Sequence, residues 1–427
     1  MVGIFPTRTN PKTWCTDPKS KNPNQPKPLS PLAAGAAEGK HQSPEEVEGK
    51  QELVLVEMEP RRRLKGHKAT TTCCIASRDR PGLVVTAGED GCVCWFDLRC
   101  KDAQLVMEVG TDPVSSLCFK PGNEDILYVS SGKDVKCFDV HLGTSWKALE
   151  TYTYNKEEIN QIVCSTKSSF LAAADDGGDI KIIDINQKCL YKTLRSGHSS
   201  ICSTVQFLPW KPWEAITGGL DSKLVMWDFS KGRPLKTVDF GSPDPKSSTN
   251  TSQCFNPAFI HSIAVPEIDI VEKSGKICAV ARGDGVVDMI NIESELSSLR
   301  SKTSTKPRKG PQSTSKDAAS SETADSNNQT LHLDYSLGGH TAAVSCVAFS
   351  AFGERGKFII SGGNDKSVKF WDWFKYLDQG RISNDCDLLH LNIDLTKKVN
   401  WLCTTPAASE NLIICDTTKV VKVYSVS

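Results

Sequence analysis

Five stretches of this chain end on the same kind of strand. They read GEDGCVCWFD (Gly88–Asp97), ADDGGDIKIID (Ala174–Asp184), GGLDSKLVMWD (Gly218–Asp228), RGDGVVDMIN (Arg282–Asn291) and GGNDKSVKFWD (Gly362–Asp372). Each has small residues and an acidic turn. An apolar run follows, closed by an aromatic-Asp pair or a relic of it. Aspartates 97, 139, 184 and 228 close successive copies at intervals of 42, 45 and 44 residues. A unit repeated at such a period cannot bury its apolar face alone, so the copies must stack into one array.

Three of the five carry Gly-His upstream, at Gly66-His67, Gly197-His198 and Gly339-His340. Gly-His, an Asp turn and Trp-Asp at this spacing resemble the WD40 repeat, whose fold is the β-propeller. The resemblance implies an all-β, seven-bladed propeller over 53–427. At roughly 40–45 residues per blade, seven blades need about 300 residues, and the chain has 427. The surplus is expected in a Pro, Lys and Ser-rich disordered tail over 1–50 and in disordered insertions over 241–256 and 294–330. These segments hold too little apolar surface to offset chain entropy. The second insertion is expected at the edge of blade 5. Closure is expected where Leu53–Leu64 lies beside Val420–Val426, since an open array would leave an unpaired strand edge.

Lys+Arg and Asp+Glu are both 51, so the formal charge is zero. That gives no global electrostatic argument for a nucleic-acid or membrane partner. No apolar run approaches the ~18 residues of a membrane span, and the first residues lack the apolar core of a secretory signal. The acid-poor, Ser and Thr-containing start is explained better by Pro-rich disorder than by a transit peptide. The expected compartment is cytoplasmic or nuclear. The 17 cysteines are scattered, many inside apolar strands, where a thiol packs as a small apolar residue. Cys73-Cys74 and the pair Cys92 and Cys94 lack the spacing of a structural zinc site. No cofactor or metal is expected.

In the WD40 family the His, a Ser or Thr, the turn Asp and the Trp form a buried tetrad. The resemblance places such tetrads at His198, Thr217, Asp221 and Trp227, and at His340, Ser361, Asp365 and Trp371. A shorter one is expected at His67, Thr86 and Asp90, because Phe96 stands where the indole N–H donor would be. A hydrolase triad is the competing reading of His, Ser and Asp. Recurrence in separate repeats argues for structure instead, and the nucleophile-elbow motif is absent. The chain is therefore expected not to be an enzyme.

The run Val84–Arg99, VVTAGEDGCVCWFDLR, resembles the motif by which WD40 substrate receptors dock on the cullin-4 ubiquitin ligase. They dock through its adaptor, damaged-DNA-binding protein 1. The match rests on Asp90, Asp97 and Arg99, with Phe96 departing from Trp. In that family the arginine makes a charge-assisted contact. Longer runs, Lys156–Ile185 and Gly197–Leu235 among them, resemble one WD40 subfamily grouped with candidate cullin-4 receptors. That resemblance covers about Leu64 to the C-terminus, and the tail and 294–330 depart from it. By analogy Glu89, Leu220 and Asn364, each just before a turn Asp, are expected at the mouth that holds a partner. Trp210 and Trp213 suggest an exposed ledge, against the plainer reading of a rigid turn packed on its blade. The basic runs Arg61–Arg63 and Lys306–Lys309 read as solvated surface or as localisation signals. The expected function is a protein-interaction scaffold, monomeric outside its complexes, docking on the ligase with an unknown substrate. The alternative is a chromatin- or RNA-associated scaffold outside any ligase.

Overall fold

Seven sheets radiate around one axis in the computed structural model. It describes residues 55–56, 58–100, 102–140, 147–167, 169–242, 254–302, 330–379 and 388–426. The expected tail and most of both insertions lie outside these residues. Blade 1 comprises Thr71–Ala76, Leu83–Gly88, Cys92–Asp97 and Leu105–Glu108. The other blades repeat this four-stranded meander. Their first strands, in order, are Val114–Lys120, Ile159–Cys164, Cys202–Phe207, Ile260–Ala264, Val344–Phe349 and Val399–Thr404. Each first strand touches the next, and that of blade 7 touches that of blade 1, so these strands line a closed ring. The architecture is the expected seven-bladed β-propeller. Apolar residues from facing blades interdigitate, as Val225 and Trp227 do with Ala172 and Ile182. The second and third strands are buried along nearly their whole length, as Leu83–Gly88 and Cys92–Asp97 are, and read as near-continuous apolar runs.

Each first strand carries a register shift against the second, at Thr71/Cys73 in blade 1 and at the matching place in the other six. Such a bulge re-aims a side chain. Here the re-aimed side chains tie blade to blade. Thr72, Ser115, Asn160 and Ser203 each donate to the first carbonyl of the following blade's inner strand. Ser345 and Asn400 do the same, and Asn400 crosses from blade 7 to the Thr71 carbonyl of blade 1. The exception is blade 5, where the position holds His261. Burial lowers the pKa of this imidazole, as expected for a ring with little polar company. Replacing His261 with Asn is expected to complete the set and raise the urea unfolding midpoint. The gain should be about 1 kcal/mol, one net hydrogen bond. A lower midpoint in H261N would show that the imidazole is already the better fit.

Closure differs from the expectation in one respect. Arg62–Lys65 pairs antiparallel with Val420–Tyr424, opposing Leu64 to Val421. Leu55–Val56, however, pairs parallel with Leu389–Asp394, as a fifth strand of blade 6. The expected single strand Leu53–Leu64 is therefore two. Pro60 stands between them, and it has no N–H with which to continue a ladder.

Three helices were not foreseen. α1 (Ile268–Ser274) and α2 (Ile292–Lys302) lie in blade 5, and α3 (Phe374–Gln379) follows the third strand of blade 6. α2 corrects the reading of 294–330 as disordered from its start. Ile292 and Leu296 fall four residues apart on one helix face and pack into the cluster between blades 4 and 5. Lys236 secures the helix by donating to the Glu295 carbonyl at 2.7 Å. Residues 303–329 of the insertion lie outside the described residues, and the strand that follows them, Leu331–Leu333, is the outer strand of blade 5. Every described cysteine is a free thiol and most are buried.

Candidate functional site

The expected tetrads form at both complete repeats. His198 Nδ1 lies 3.0 Å from Asp221 Oδ1, and its Nε2 lies 2.8 Å from Thr217 Oγ1. Trp227 Nε1 donates to the same hydroxyl at 2.8 Å. One proton arrangement satisfies all four groups: Nδ1–H donates to the carboxylate, the hydroxyl donates to Nε2, and the indole donates to the hydroxyl oxygen. In blade 6, His340 lies 3.0 Å from Asp365 and 2.8 Å from Ser361 Oγ, and Trp371 Nε1 reaches that hydroxyl at 3.1 Å. Burial lowers the pKa of both histidines, although their aspartates pull the other way. Burial alone would raise Asp365, but hydrogen bonding and charge from His340 bring it down to about 2. Each Asp also ties down the chain after the His, as Asp221 does by accepting from Ser199 N–H at 2.9 Å.

Blade 1 keeps the first half of this arrangement. His67 lies 3.1 Å from Asp90 and 2.8 Å from Thr86 Oγ1. Phe96 pairs with Val84 as Trp227 pairs with Ala215, so it does occupy the Trp position. It is buried there without a donor.

Sequence reasoning missed how blades 3, 5 and 7 replace the tetrad. Register places Arg282 of blade 5, Asp175 of blade 3 and Asp416 of blade 7 where Gly219 stands in blade 4. Blade 7 pairs Asp416 with Lys422 on the adjoining strand at 2.6 Å. Blade 3 sets Asp175 against Asn155 at 2.9 Å, with Lys181 on the adjoining strand. Blade 5 inverts the charges. Arg282 binds the turn carboxylate Asp284 and, at 2.7 Å, the buried Asp288. Asp288 also accepts from His332 at 2.5 Å. Burial would raise Asp288, but Arg282 and His332 outweigh it and hold its pKa below the usual carboxylate value. The signal was present in RGDGVVD, where an arginine and two carboxylates fall in seven residues. Only pairing shows that they meet.

Arg99 follows the third strand of blade 1, at the end of the ring opposite the Gly-His turns. Its side chain is 83% exposed and grips Asp97 with two nitrogens, Nε at 2.9 Å and Nη2 at 2.6 Å. Hydrogen bonding from Arg99 lowers the Asp97 pKa. Arg62 joins the same edge, bound to Glu410 at 2.6 Å and to the Cys100 carbonyl at 3.1 Å. Phe96 is inside the blade, and Asp90 belongs to the tetrad end. Of the four motif residues, Arg99 alone is exposed, with the largely buried Asp97 holding it from beneath.

Glu89, Leu220 and Asn364 occupy one equivalent position in blades 1, 4 and 6. Each donates its N–H to a carbonyl before its blade's inner strand, as Glu89 does to Thr70 at 2.8 Å. Glu89 and Asn364 are exposed, and Leu220 is half-buried. The two tryptophans of the blade 4 turn part company. Trp210 packs beside Leu296 of α2 and the blade 4–5 cluster. Trp213 is 45% exposed. Its ring centroid lies 5.6 Å from those of Phe170 and Phe229 and 6.4 Å from that of Tyr191. Of the basic runs, Arg61–Arg63 includes Arg63, which pairs with Glu59. Lys306–Lys309 lies outside the described residues. Among the described residues, no cluster of His, Cys, Asp and Glu could hold a metal ion, and no helix is long and apolar enough to cross a membrane.

The WD40 family model (WD domain, G-beta repeat) matches residues 58–97, 187–228 and 332–372. These are the three repeats with Gly-His. The chain is 25% identical over 388 residues to the WD repeat-containing protein 53 homolog of Dictyostelium discoideum, covering 85% of this chain and 94% of that protein. It is 30% identical over 158 residues to GATOR2 complex protein WDR24 of Danio rerio, covering 35% of this chain and 20% of that protein. It is 22% identical over 326 residues to nuclear distribution protein PAC1 of Candida albicans, covering 76% of this chain and 56% of that protein. It thus spans nearly all of the first and far less of the other two.

Proposed function

Because the chain is a WD40-repeat β-propeller, of a kind that typically serves as a non-catalytic scaffold for binding proteins, we propose that it is a scaffold of this kind, with no catalytic activity. The observation that carries this is the use made of its polar constellations. The His, Ser or Thr, and Asp groups recur at one register in three blades, and each is consumed by a buried hydrogen-bond network. A catalytic set would keep a group free for substrate. What faces outward is loops and turns on a rigid ring, where partner-binding residues are usually carried.

The finer reading is a substrate receptor of the cullin-4 ubiquitin ligase, docked through damaged-DNA-binding protein 1. Asp97 and Arg99 support it. Asp97 holds the guanidinium outward in a fixed orientation, which reduces the ordering cost of a charge-assisted contact. The opposite end, with Glu89, Leu220 and Asn364, would receive the substrate. A pull-down of intact protein beside Arg99→Ala tests it, after both are shown to melt alike. The expected result is adaptor recovered with the intact chain and reduced at least tenfold in the variant, or about 1.4 kcal/mol. No adaptor with the intact chain would remove the ligase reading and leave the scaffold.

A further inference from the structure

The inner strands all run in the same sense, from a Gly-His-type turn at one end of the channel to a connecting loop at the other. The loops of blades 1, 5 and 6 at that second end meet. In blade 5 the loop contains α1, preceded by Glu267. Arg355, from the loop of blade 6, binds Glu267 at 2.8 Å and Asp269 at 2.6 Å. Ile270 is buried against Gly356, where an added Cβ would lie 2.3 Å from its Cγ2. These ties join neighbouring blades and are unremarkable by themselves. Arg78 is different. It belongs to the loop of blade 1, yet it forms an ion pair with Glu267. Blades 6 and 7 separate blade 1 from blade 5 around the ring, so this contact crosses the channel mouth. Arg78 is itself anchored, its N–H donating to Glu124 of blade 2 at 2.9 Å.

We infer that the segment Pro266–Gly275 is a strap that closes one mouth of the central channel, so that a ligand or peptide reaching the channel enters from the Gly-His end. The strap occupies the end that carries Arg99. The adaptor-facing end proposed above is therefore floored by the chain itself, and the open mouth is the one ringed by Glu89, Leu220 and Asn364. The cross-ring pair is solvent-accessible on the Arg78 side, at 66% exposure. An exposed pair of this kind contributes little to global stability. It can be removed without unfolding the ring.

Two measurements on the full chain test the strap, and neither depends on whether an adaptor binds. In the first, Arg78→Lys keeps the charge and supplies an amine, and a water-soluble carbodiimide is added. The activated Glu267 carboxyl is attacked by the lysine amine, forming an amide and releasing the urea. Mass spectrometry should then recover the peptide containing position 78 joined to the one containing Glu267. Recovery only of links to Glu124 or Asp125 of blade 2 would overturn the inference. The second compares backbone hydrogen exchange over 266–275 in Arg78→Ala and Arg355→Ala. A strap spanning the mouth exchanges several-fold faster in both. A helix held only by blade 6 responds to Arg355→Ala and not to Arg78→Ala, which would refute the strap.

Discussion

A chain ending at Thr417 is expected to lose its cooperative thermal transition altogether, whereas a chain beginning at Pro60 should melt almost normally. The first truncation removes Val420–Tyr424, the third strand of blade 7. Val421, Val423 and Tyr424 are fully buried in the clusters that join blade 7 to blades 6 and 1. At about 1.5–3 kcal/mol for each buried side chain, the direct loss is about 5–9 kcal/mol. That is comparable to the whole stability of an ordinary domain, about 5–15 kcal/mol. The ladder to Arg62–Lys65 goes with it, so Leu412–Asp416 becomes an unpaired edge and the ring opens. The second truncation removes the Leu55–Val56 pairing on the outside of blade 6, the half-buried Met58 and the exposed Glu59–Arg63 ion pair, and leaves the clasp to Val420–Tyr424 in place. Circular dichroism melts of the two chains decide the matter. A sharp transition in the chain ending at Thr417 would show that six blades stand without closure.

Asp288→Ala is expected to destabilise the protein by about 3 kcal/mol, more than most single substitutions outside the apolar core. Asp288 is fully buried. It neutralises Arg282, whose guanidinium also lies 5.0 Å from the centre of the Phe240 ring. Breaking a buried pair leaves one charge uncompensated, at about 3–5 kcal/mol. Asp284 stays bound to Arg282 and keeps the loss near the lower end. The double variant Arg282→Met/Asp288→Leu removes the uncompensated guanidinium and should recover part of the loss, since apolar replacement of both partners is often neutral, while Asp284 is left without its guanidinium. Urea unfolding of the single and double variants reads this directly. A double variant as unstable as the single would mean that Arg282 matters through packing and not through charge.

These two expectations draw on different depths of the sequence. The propeller was legible because its signals are local and repeated. Gly-His, the acidic turn and Trp-Asp lie within one or two strands of each other, and five imperfect copies reinforce one reading. The tetrads His198, Thr217, Asp221, Trp227 and His340, Ser361, Asp365, Trp371 were legible for the same reason. Where blades 3, 5 and 7 abandon that vocabulary, the sequence showed only degeneracy. Their substitutes, Asn155 with Asp175, Arg282 with Asp288 and Asp416 with Lys422, are pairs that acquire meaning from strand register.

The interblade bonds from Thr72, Ser115, Asn160, Ser203, Ser345 and Asn400 were hidden in a similar way. Each is a small polar residue in an apolar strand, and it is aimed by a bulge that no residue type announces. The helix α2 was hidden by its polar composition, because the cluster that fixes Ile292 and Leu296 is built from several strands of blades 4 and 5.

By itself, then, the sequence determined the repeating unit, since that follows from hydrophobic period and hydrogen-bonding residues near one another in the chain; the count of seven came from the resemblance to the WD40 family, and the clasp from the need to pair an open strand edge. Tertiary structure alone decided which surfaces are free. It buried Phe96, packed Trp210 against the blade 4–5 cluster, split Leu53–Leu64 between two blades and laid Glu267 across the channel against Arg78. Those outcomes depend on residues far apart in the chain meeting in space. Solvent exposure is a property of such meetings, and no period in the sequence encodes it.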